Sequence, residues 1–305
     1  MNKKEPLVTV IVPSYNHELY IKECLKEVVA ISKYIDINIL IIDDGSTDNT
    51  PAIIKDFIFN QDMPIEFIEK ENAGLVSSLN LGIRKIKTEY IYLVASDDIP
   101  CPEEVSKCVN KLCMTPRLKF IICGARNIFI DQPDSNVYRE SHEHFFANSD
   151  KTIRRELFFD YPKPLLLQST VFKTDAIRSV GYWDDDVVLD DYAMFIKLLS
   201  KYEQHKDYLF EPQAIICKYR HHESNSSKNY LRQYLMVKQV ICKYAQSSLK
   251  YKAIGYRLGF YMMLCIKDKK LSVLRVLMRN SSKHELLWGF IAIPKIYYKY
   301  INKSL

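Results

Sequence analysis

Residues 7–12 (LVTVIV) and 39–42 (ILII) are mostly β-branched, largely apolar runs closed by Pro13 and Asp43. Neither alternates with polar positions as a half-exposed strand does, so both read as strands of a parallel sheet buried on its two faces. Between them Ile21, Cys24, Leu25, Val28 and Val29 recur every three or four positions, the spacing of a helix with one apolar face. Strand, helix and strand make a βαβ unit. The alternation continues. Thr50 caps a helix opened by Pro51, residues 65–68 make a short strand, Leu75, Leu79, Ile83 and Ile86 line a third helix, and residues 90–94 form a fourth strand. Val105, Cys108, Val109 and Leu112 mark a further helix, followed by a strand at 120–123. Periodicity weakens over residues 127–163, where Pro133 and Pro162 interrupt it, and helical spacing returns from Asn229 in a Tyr- and Lys-rich setting. The pattern predicts an α/β fold with a mostly parallel central sheet flanked by helices, followed by a helical C-terminal extension.

Composition excludes the non-globular classes. Of 305 residues 48% are hydrophobic and 26% charged, with only 8 Gly and 12 Pro, which rules against disordered and collagenous chains. The net charge of +6 hides an asymmetry: Lys and Arg number 25 against 34 acidic residues up to Cys217, and 18 against 3 from Lys218 on, so the two parts carry −9 and +15. A basic segment of that size points to a polyanion, either an anionic membrane surface or nucleic acid. The eight cysteines stand singly among apolar neighbours without CxxC spacing, and read as small core residues in a reducing compartment. The opening residues lack the pattern of a signal peptide, and no apolar run approaches the roughly 20 residues of a membrane span. A cytoplasmic protein is expected.

Three polar loops follow strands: Pro13-Ser14-Tyr15-Asn16, Asp43-Asp44-Gly45-Ser46-Thr47-Asp48, and Ala95-Ser96-Asp97-Asp98. In an open α/β sheet these loops converge beyond the carboxyl ends of the strands, where ligands bind. Neighbouring residues leaving a strand point to opposite sides, so within each Asp-Asp pair one carboxylate serves a given ligand. Carboxylates accept from a base imide or a ribose hydroxyl, and one facing a diphosphate needs a divalent cation between them. No GxGxxG or Walker lysine is present to cradle phosphate. The three loops together suit a metal-bound nucleotide diphosphate, although Asp-Asp-Gly-Ser alone is also an ordinary turn.

These loops, with Glu71-Asn72-Ala73-Gly74-Leu75, resemble the successive motifs of family 2 glycosyltransferases, inverting enzymes of the GT-A type with a Rossmann-like fold, over about the first 220 residues. The resemblance implies that Tyr15 lies against the uracil of a UDP-sugar, that Asp44 accepts from the base, that Asp97 approaches ribose or sugar and that Asp98 binds Mn²⁺ or Mg²⁺. Pro13, Asn16, Asn72 and Gly74 belong to the same donor-binding motifs. Leu189-Asp190-Asp191-Tyr192 is similar to the family's Glu-Asp-Tyr segment and places Asp191 as the catalytic base, a role an N-terminal helical carboxylate can fill. The other reading of Asp191 is a carboxylate that merely stabilises the helix dipole. Tyr219-Arg220-His221-His222 resembles the family's closing motif, making His222 a second metal ligand or a diphosphate contact. Two departures stand out: Ser78-Leu79-Asn80 lacks the arginine usual there, leaving Arg84 as a substitute, and Ala193 replaces a common acidic residue.

The resemblance divides the chain into a catalytic domain, 1–228, with a nucleotide-binding half at 1–125 and an acceptor half at 126–228, and a basic helical region at 229–305. Within the latter, Leu231, Leu235, Met236, Ile241, Leu286, Leu287 and Phe290 supply apolar helix faces among lysines. Such helices lie on anionic leaflets or pack on the catalytic domain; no nucleic-acid motif accompanies the charge. The expected activity is transfer of a sugar from a UDP-sugar to a polyprenyl-diphosphate-linked saccharide in O-antigen or capsule synthesis, at the cytoplasmic face of the inner membrane. The alternative is a non-catalytic nucleotide-sugar or lipid-carrier binding subunit of the same fold.

Overall fold

The apolar runs become β1 (Val8–Ser14) and β2 (Ile37–Asp43), joined by α1 (Ile21–Ala30), in a computed structural model that describes residues 7–221 and 229–301. Next come α2 (Thr50–Phe59), β3 (Ile65–Glu69), α3 (Leu75–Lys85), β4 (Tyr90–Leu93), β5 (Ile99–Pro100), α4 (Pro102–Met114) and β6 (Phe120–Ile128). The stretch of weak periodicity holds β7 (Ser135–Asn136), α5 (Glu140–Phe146) and α6 (Asp150–Phe159); β8 (Thr170–Lys173), α7 (Thr174–Arg178), α8 (Asp190–Lys201) and β9 (Tyr208–Arg220) follow. Four helices complete the chain: α9 (Tyr230–Tyr244), α10 (Ser247–Lys267), α11 (Leu271–Arg279) and α12 (Lys283–Ile301).

The chain divides into two compact units. Met1–Asp150, Pro162–Asp186 and Lys197–Glu223 form the first; Lys151–Tyr161, Val187–Ile196 and Ser224–Leu305 form the second. The first holds the sheet, in the order β3-β2-β1-β4-β8-β6-β9-β5 with β7 beside β6. β3, β2, β1 and β4 run parallel, and β1 is buried at every position, as its largely apolar run requires. β6 pairs in parallel with β9, but it does not adjoin β4 as the simple alternation suggests. The short β8 lies between them, antiparallel to both. Two local readings also shift. Leu75 is exposed rather than core-facing, and Thr50 begins α2 while Asn49 takes the cap position, because the Thr50 hydroxyl accepts the His17 amide at 2.9 Å.

The second unit is helical. A capping box starts α12: the Ser282 amide donates to the Glu285 carboxylate at 2.7 Å and the Glu285 amide to the Ser282 hydroxyl at 3.3 Å. α10 and α12 cross closely at Gly255, where a Cβ would meet Trp288 Cβ at 2.4 Å. Buried Glu285, Gly289 and Ile296 mark the inner face of α12, while Leu287, Phe290, Ile291, Tyr297 and Tyr298 are more than half exposed along the opposite side. Among the described residues no helix is long and apolar enough to cross a membrane. All eight cysteines are free, and most are buried as expected, although Cys242 is exposed.

Candidate active site

The loops after β1, β2, β3 and β4 meet at the carboxyl end of the parallel strands and are tied together by their own polar groups. Asp43 folds its carboxylate back on the turn, accepting the Ser46 amide at 2.8 Å and the Ser46 hydroxyl at 2.6 Å. Asp44 points the other way, to Lys70 and to the Ala73 amide at 3.0 Å. The pair divides its work as adjacent residues leaving a strand must. Gly45, at φ 72°, lets that turn press on the β3 loop; a Cβ there would meet the Asn72 amide nitrogen at 2.8 Å. Asn16, also at positive φ, receives the Thr47 amide on Oδ1 at 2.8 Å and gives its own amide to the Ser46 hydroxyl at 2.9 Å. It stitches the first loop to the second. Pro13 is buried near the end of β1, Tyr15 is 44% exposed, and Asn72 and Gly74 are exposed ahead of α3.

Asp97 and Asp98 divide in the same manner. Asp98 is 1% exposed, and its two oxygens accept the Arg220 amide at 2.8 Å and the Gln168 side-chain amide at 3.0 Å. Burial, reinforced by the neighbouring Asp97 charge, pushes its carboxyl well above the usual carboxylate range. Asp97 is half-buried, with its Oδ2 3.7 Å from Nε2 of His17, whose Nδ1 is 2.7 Å from the Ser96 hydroxyl. Arg220 donates from Nε to the Asp97 carbonyl at 2.9 Å and pairs with Glu23 at 2.6 Å over the Tyr20 ring. One arginine at the end of β9 thus fixes both aspartates and binds them to α1. His221 is engaged elsewhere, 2.8 Å from Asn127 Oδ1 and stacked on Phe129.

The residues present fit a divalent cation held jointly with substrate. Among the described residues no three His, Cys, Asp or Glu side chains stand together as a complete metal cage. Mg²⁺ and similar ions are commonly held by one or two carboxylates and substrate phosphates. Asp97 and Asp98 are adjacent carboxylates at the strand end, the hard oxygen donors that such an ion takes. His222 lies outside the described residues.

Asp191 stands half-buried in the first turn of α8, in the second unit. Beside it, desolvation pushes the Asp190 carboxyl up, against the pull of the Asp191 and Asp190 backbone amides. Behind both, Met194, Phe195, Leu198 and Leu199 are buried, the anchor their helical spacing predicts. Arg84 does not replace the missing arginine. It stands in the last turn of α3, at the end remote from Gly74, with its guanidinium 5.3 Å from the Tyr182 ring centre. The Asn80 of that departed motif is structural: buried, it exchanges 3.0 Å hydrogen bonds with the backbone of Trp183 and donates to Asp185 at 3.0 Å. Asp184 pairs with Lys197, so the acidic loop at 184–186 is partly bonded within the protein. His17 and Gln168 are the site neighbours that sequence reasoning missed. His17 follows the Pro-Ser-Tyr-Asn run directly and was within reach of the motif; Gln168 carries no local signal.

Comparison with known proteins gives the family and the fold. A model of Glycosyl transferase family 2 matches residues 9–176. An uncharacterized glycosyltransferase of Rickettsia typhi is 26% identical over 297 residues, 88% of this chain and 87% of that protein. The poly-beta-1,6-N-acetyl-D-glucosamine synthase of Staphylococcus epidermidis is 28% identical over 211 residues, 68% of this chain and about half (48%) of the synthase. Among solved structures, S. aureus TarS 1-349 in complex with UDP-GlcNAc aligns with a TM-score of 0.60 at 15% identity, over 95% of this chain and 80% of that one. The mannosyltransferase of Pyrobaculum calidifontis in complex with GDP-Man and Mn²⁺ aligns with a TM-score of 0.59 at 16% identity, over 97% of this chain and 88% of that one. The fold is that of the GT-A glycosyltransferases.

Proposed function

The chain belongs to glycosyl transferase family 2, and from that premise we propose an inverting, metal-dependent transfer of a sugar from a UDP-sugar to a lipid-linked saccharide acceptor. The observation that carries the reading is the convergence of Asp44, Asp97 and Asp98 on one strand-end site, each aspartate held by different partners. Tyr15, exposed at its rim, offers a ring to the base, and Asp44 offers an acceptor to the base imide. Asp97 faces the ribose or the sugar. Pro13, Asn16, Asn72 and Gly74 shape the loops that carry these groups. Asp98, with His222, would hold Mn²⁺ or Mg²⁺, which when bound offsets the charge of the departing diphosphate. Asp191 takes the proton of the acceptor hydroxyl as that oxygen attacks the anomeric carbon from the face opposite the nucleotide.

UDP is the reading of the donor, in line with the UDP-GlcNAc held by TarS. The polymer named in the Staphylococcus epidermidis relative favours a place in surface polysaccharide synthesis, O-antigen or capsule. A polyprenyl-diphosphate-linked acceptor would be met at an anionic membrane surface, the cytoplasmic face of the inner membrane, by the basic region at 229–305. The exposed apolar stripe of α12 supports that docking.

The test combines purified protein, a panel of UDP- and GDP-sugars, a synthetic prenyl-diphosphate acceptor and Mn²⁺. UDP release is expected to stop on chelation, and Asp191→Asn to lower turnover by about 10²–10⁴-fold while donor binding persists. Full activity in Asp191→Asn refutes the base; full activity after chelation refutes the metal; release of UMP refutes sugar transfer.

A further inference from the structure

α10 carries a cation into the interior of the second unit. Arg257 is 4% exposed, and a guanidinium does not shed its charge by burial as a lysine or histidine does. Its Nη2 donates to the Leu157 carbonyl at 3.4 Å, while its Nε meets no acceptor among the described residues. The carboxylate of Asp160, close enough to feel the guanidinium, is engaged by the Tyr256 hydroxyl at 2.8 Å and by Lys299 at 2.5 Å. Removing a cation from water with so few partners costs stability that an apolar residue of similar volume would not, so its presence calls for a role.

The groups around it form a closed circuit. The Arg257 guanidinium lies 5.3 Å from the centre of the Tyr161 ring. Tyr161 stacks on Tyr192, with 4.8 Å between ring centres and 15° between planes. The Tyr192 hydroxyl donates at 2.8 Å to the same Leu157 carbonyl that receives Arg257. One ring and one carbonyl are therefore shared by the arginine and by Tyr192. Asp191 immediately precedes Tyr192 in the first turn of α8, and Tyr161 lies within electrostatic reach of both Asp191 and Arg257. A helix start held only by its own backbone frays. Here the residue next to the carboxylate is locked at its ring and at its hydroxyl.

We propose that Arg257 is a positioning residue for Asp191, acting through Tyr161, Tyr192 and the Leu157 carbonyl to fix the first turn of α8. The C-terminal helices then contribute to the chemistry as well as to docking. This inference rests on the reading of Asp191 as the base, and the experiment keeps the two apart.

The test is a double-mutant cycle in the full chain: Arg257→Met, Asp191→Asn and both together, with UDP release and donor KM measured on the donor and acceptor that the wild type turns over. Arg257→Met is expected to lower kcat by about tenfold or more, as a displaced catalytic group does, with donor KM within about twofold. In the Asp191→Asn background the same change is expected to cost nothing further. Arg257→Lys, which keeps a cation over the ring without the planar fork, is expected to recover part of kcat. An equal fractional loss in both backgrounds overturns the inference alone, since it marks a role independent of Asp191. Full activity in Asp191→Asn overturns the base reading and takes the inference with it. Should Arg257→Met fail to fold, Tyr192→Phe, which deletes one hydroxyl, replaces it in the cycle, and additivity there overturns the inference.

Discussion

At the strand ends of the first unit Asp43, Asp44 and Asp98 each accept a hydrogen bond from a backbone amide, of Ser46, Ala73 and Arg220 respectively. In the second unit the buried Arg257 instead lies over the Tyr161 ring, which stacks on Tyr192. An amide aimed at a carboxylate fixes its direction and favours its charge, which suits the nucleotide and metal site proposed there. An aromatic platform holds a cation and leaves apolar edges, which suits the roles proposed for this unit beside Asp191 and at a lipid surface. Carboxylates are scarce around Arg257 on its own stretch of chain, which from Lys218 on has only 3 acidic residues against 18 basic ones.

The sharpest way to break the contrast is to damage each unit separately. Gly255→Leu drives a side chain into Trp288 and the Glu285 carbonyl, with a Cβ at 2.4 and 2.9 Å from them. Overpacking of this kind costs about 3 kcal/mol and is expected to loosen the second unit, abolishing transfer while UDP still raises the melting temperature. Asp43→Ala leaves the half-buried Ser46 amide and hydroxyl without their acceptor, at about 1 kcal/mol, and is expected to remove the UDP shift instead. Calorimetric scans with and without UDP and Mn²⁺ check both. If Gly255→Leu also removed the UDP shift, the nucleotide site would depend on the second unit and the division of labour would fail.

Sequence reasoning reached the two units unequally. Parallel strands buried on both faces announce themselves as apolar runs, and the loops that end them carry their chemistry within a few residues. β1 through β4 and the Asp43-Asp44 and Asp97-Asp98 pairs were therefore legible. What tied them together was not. Gln168 reaches Asp98 across 70 residues and Asn80 reaches Trp183 across 103, and no local pattern encodes either contact. α6 escaped because its apolar face is small, only Ile153, Leu157 and Phe158, too short a pattern to stand out within the Pro-interrupted stretch around it. β8 was lost for a different reason: four residues between β4 and β6 in space, but not in sequence, give no hint of the antiparallel insertion. In the basic tail the helices were legible and the buried arginine among them was not, because in sequence Arg257 is one cation of many.

A smaller effect tests the outward face of the second unit. Phe290→Ser with Ile291→Ser removes two half-exposed side chains from the outer stripe of α12 without touching Gly289 or Ile296 on its inner face. Each side chain is expected to contribute about 1 kcal/mol on partial burial in a bilayer interface, so the pair should weaken binding to anionic vesicles by about tenfold or more. Turnover on a water-soluble acceptor should not change. Sedimentation with vesicles containing an anionic phospholipid, at low and high salt, checks this. Unchanged sedimentation would assign the stripe to packing or self-association rather than to lipid.

The least effect expected comes from setting two buried nitrogen bases, one from each unit, against each other. Arg257 keeps its charge when buried, whereas His142 in the first unit loses it: desolvation holds its imidazole below the usual histidine value of 6.5. The geometry fixes the neutral tautomer. Nδ1 accepts the Arg139 amide at 3.1 Å, so the proton sits on Nε2, which donates to the Pro164 carbonyl at 3.0 Å. A second proton would place an N–H against the Arg139 N–H, so the unfolded chain binds protons more readily than the folded one at this residue. Its stabilising contribution is therefore complete above the unfolded value of about 6.5 and declines as pH falls from there through the lower folded value. The melting temperature of the wild type should accordingly fall more steeply between pH 7.5 and 5.5 than that of His142→Gln, whose amide does not titrate. Arg257→Met should leave that slope alone, because a guanidinium is charged in both states across this range. Equal slopes in wild type and His142→Gln would mean that His142 binds protons as readily in the fold as in the unfolded chain, and the distinction between a base silenced by burial and a cation retained despite it would no longer separate the two units.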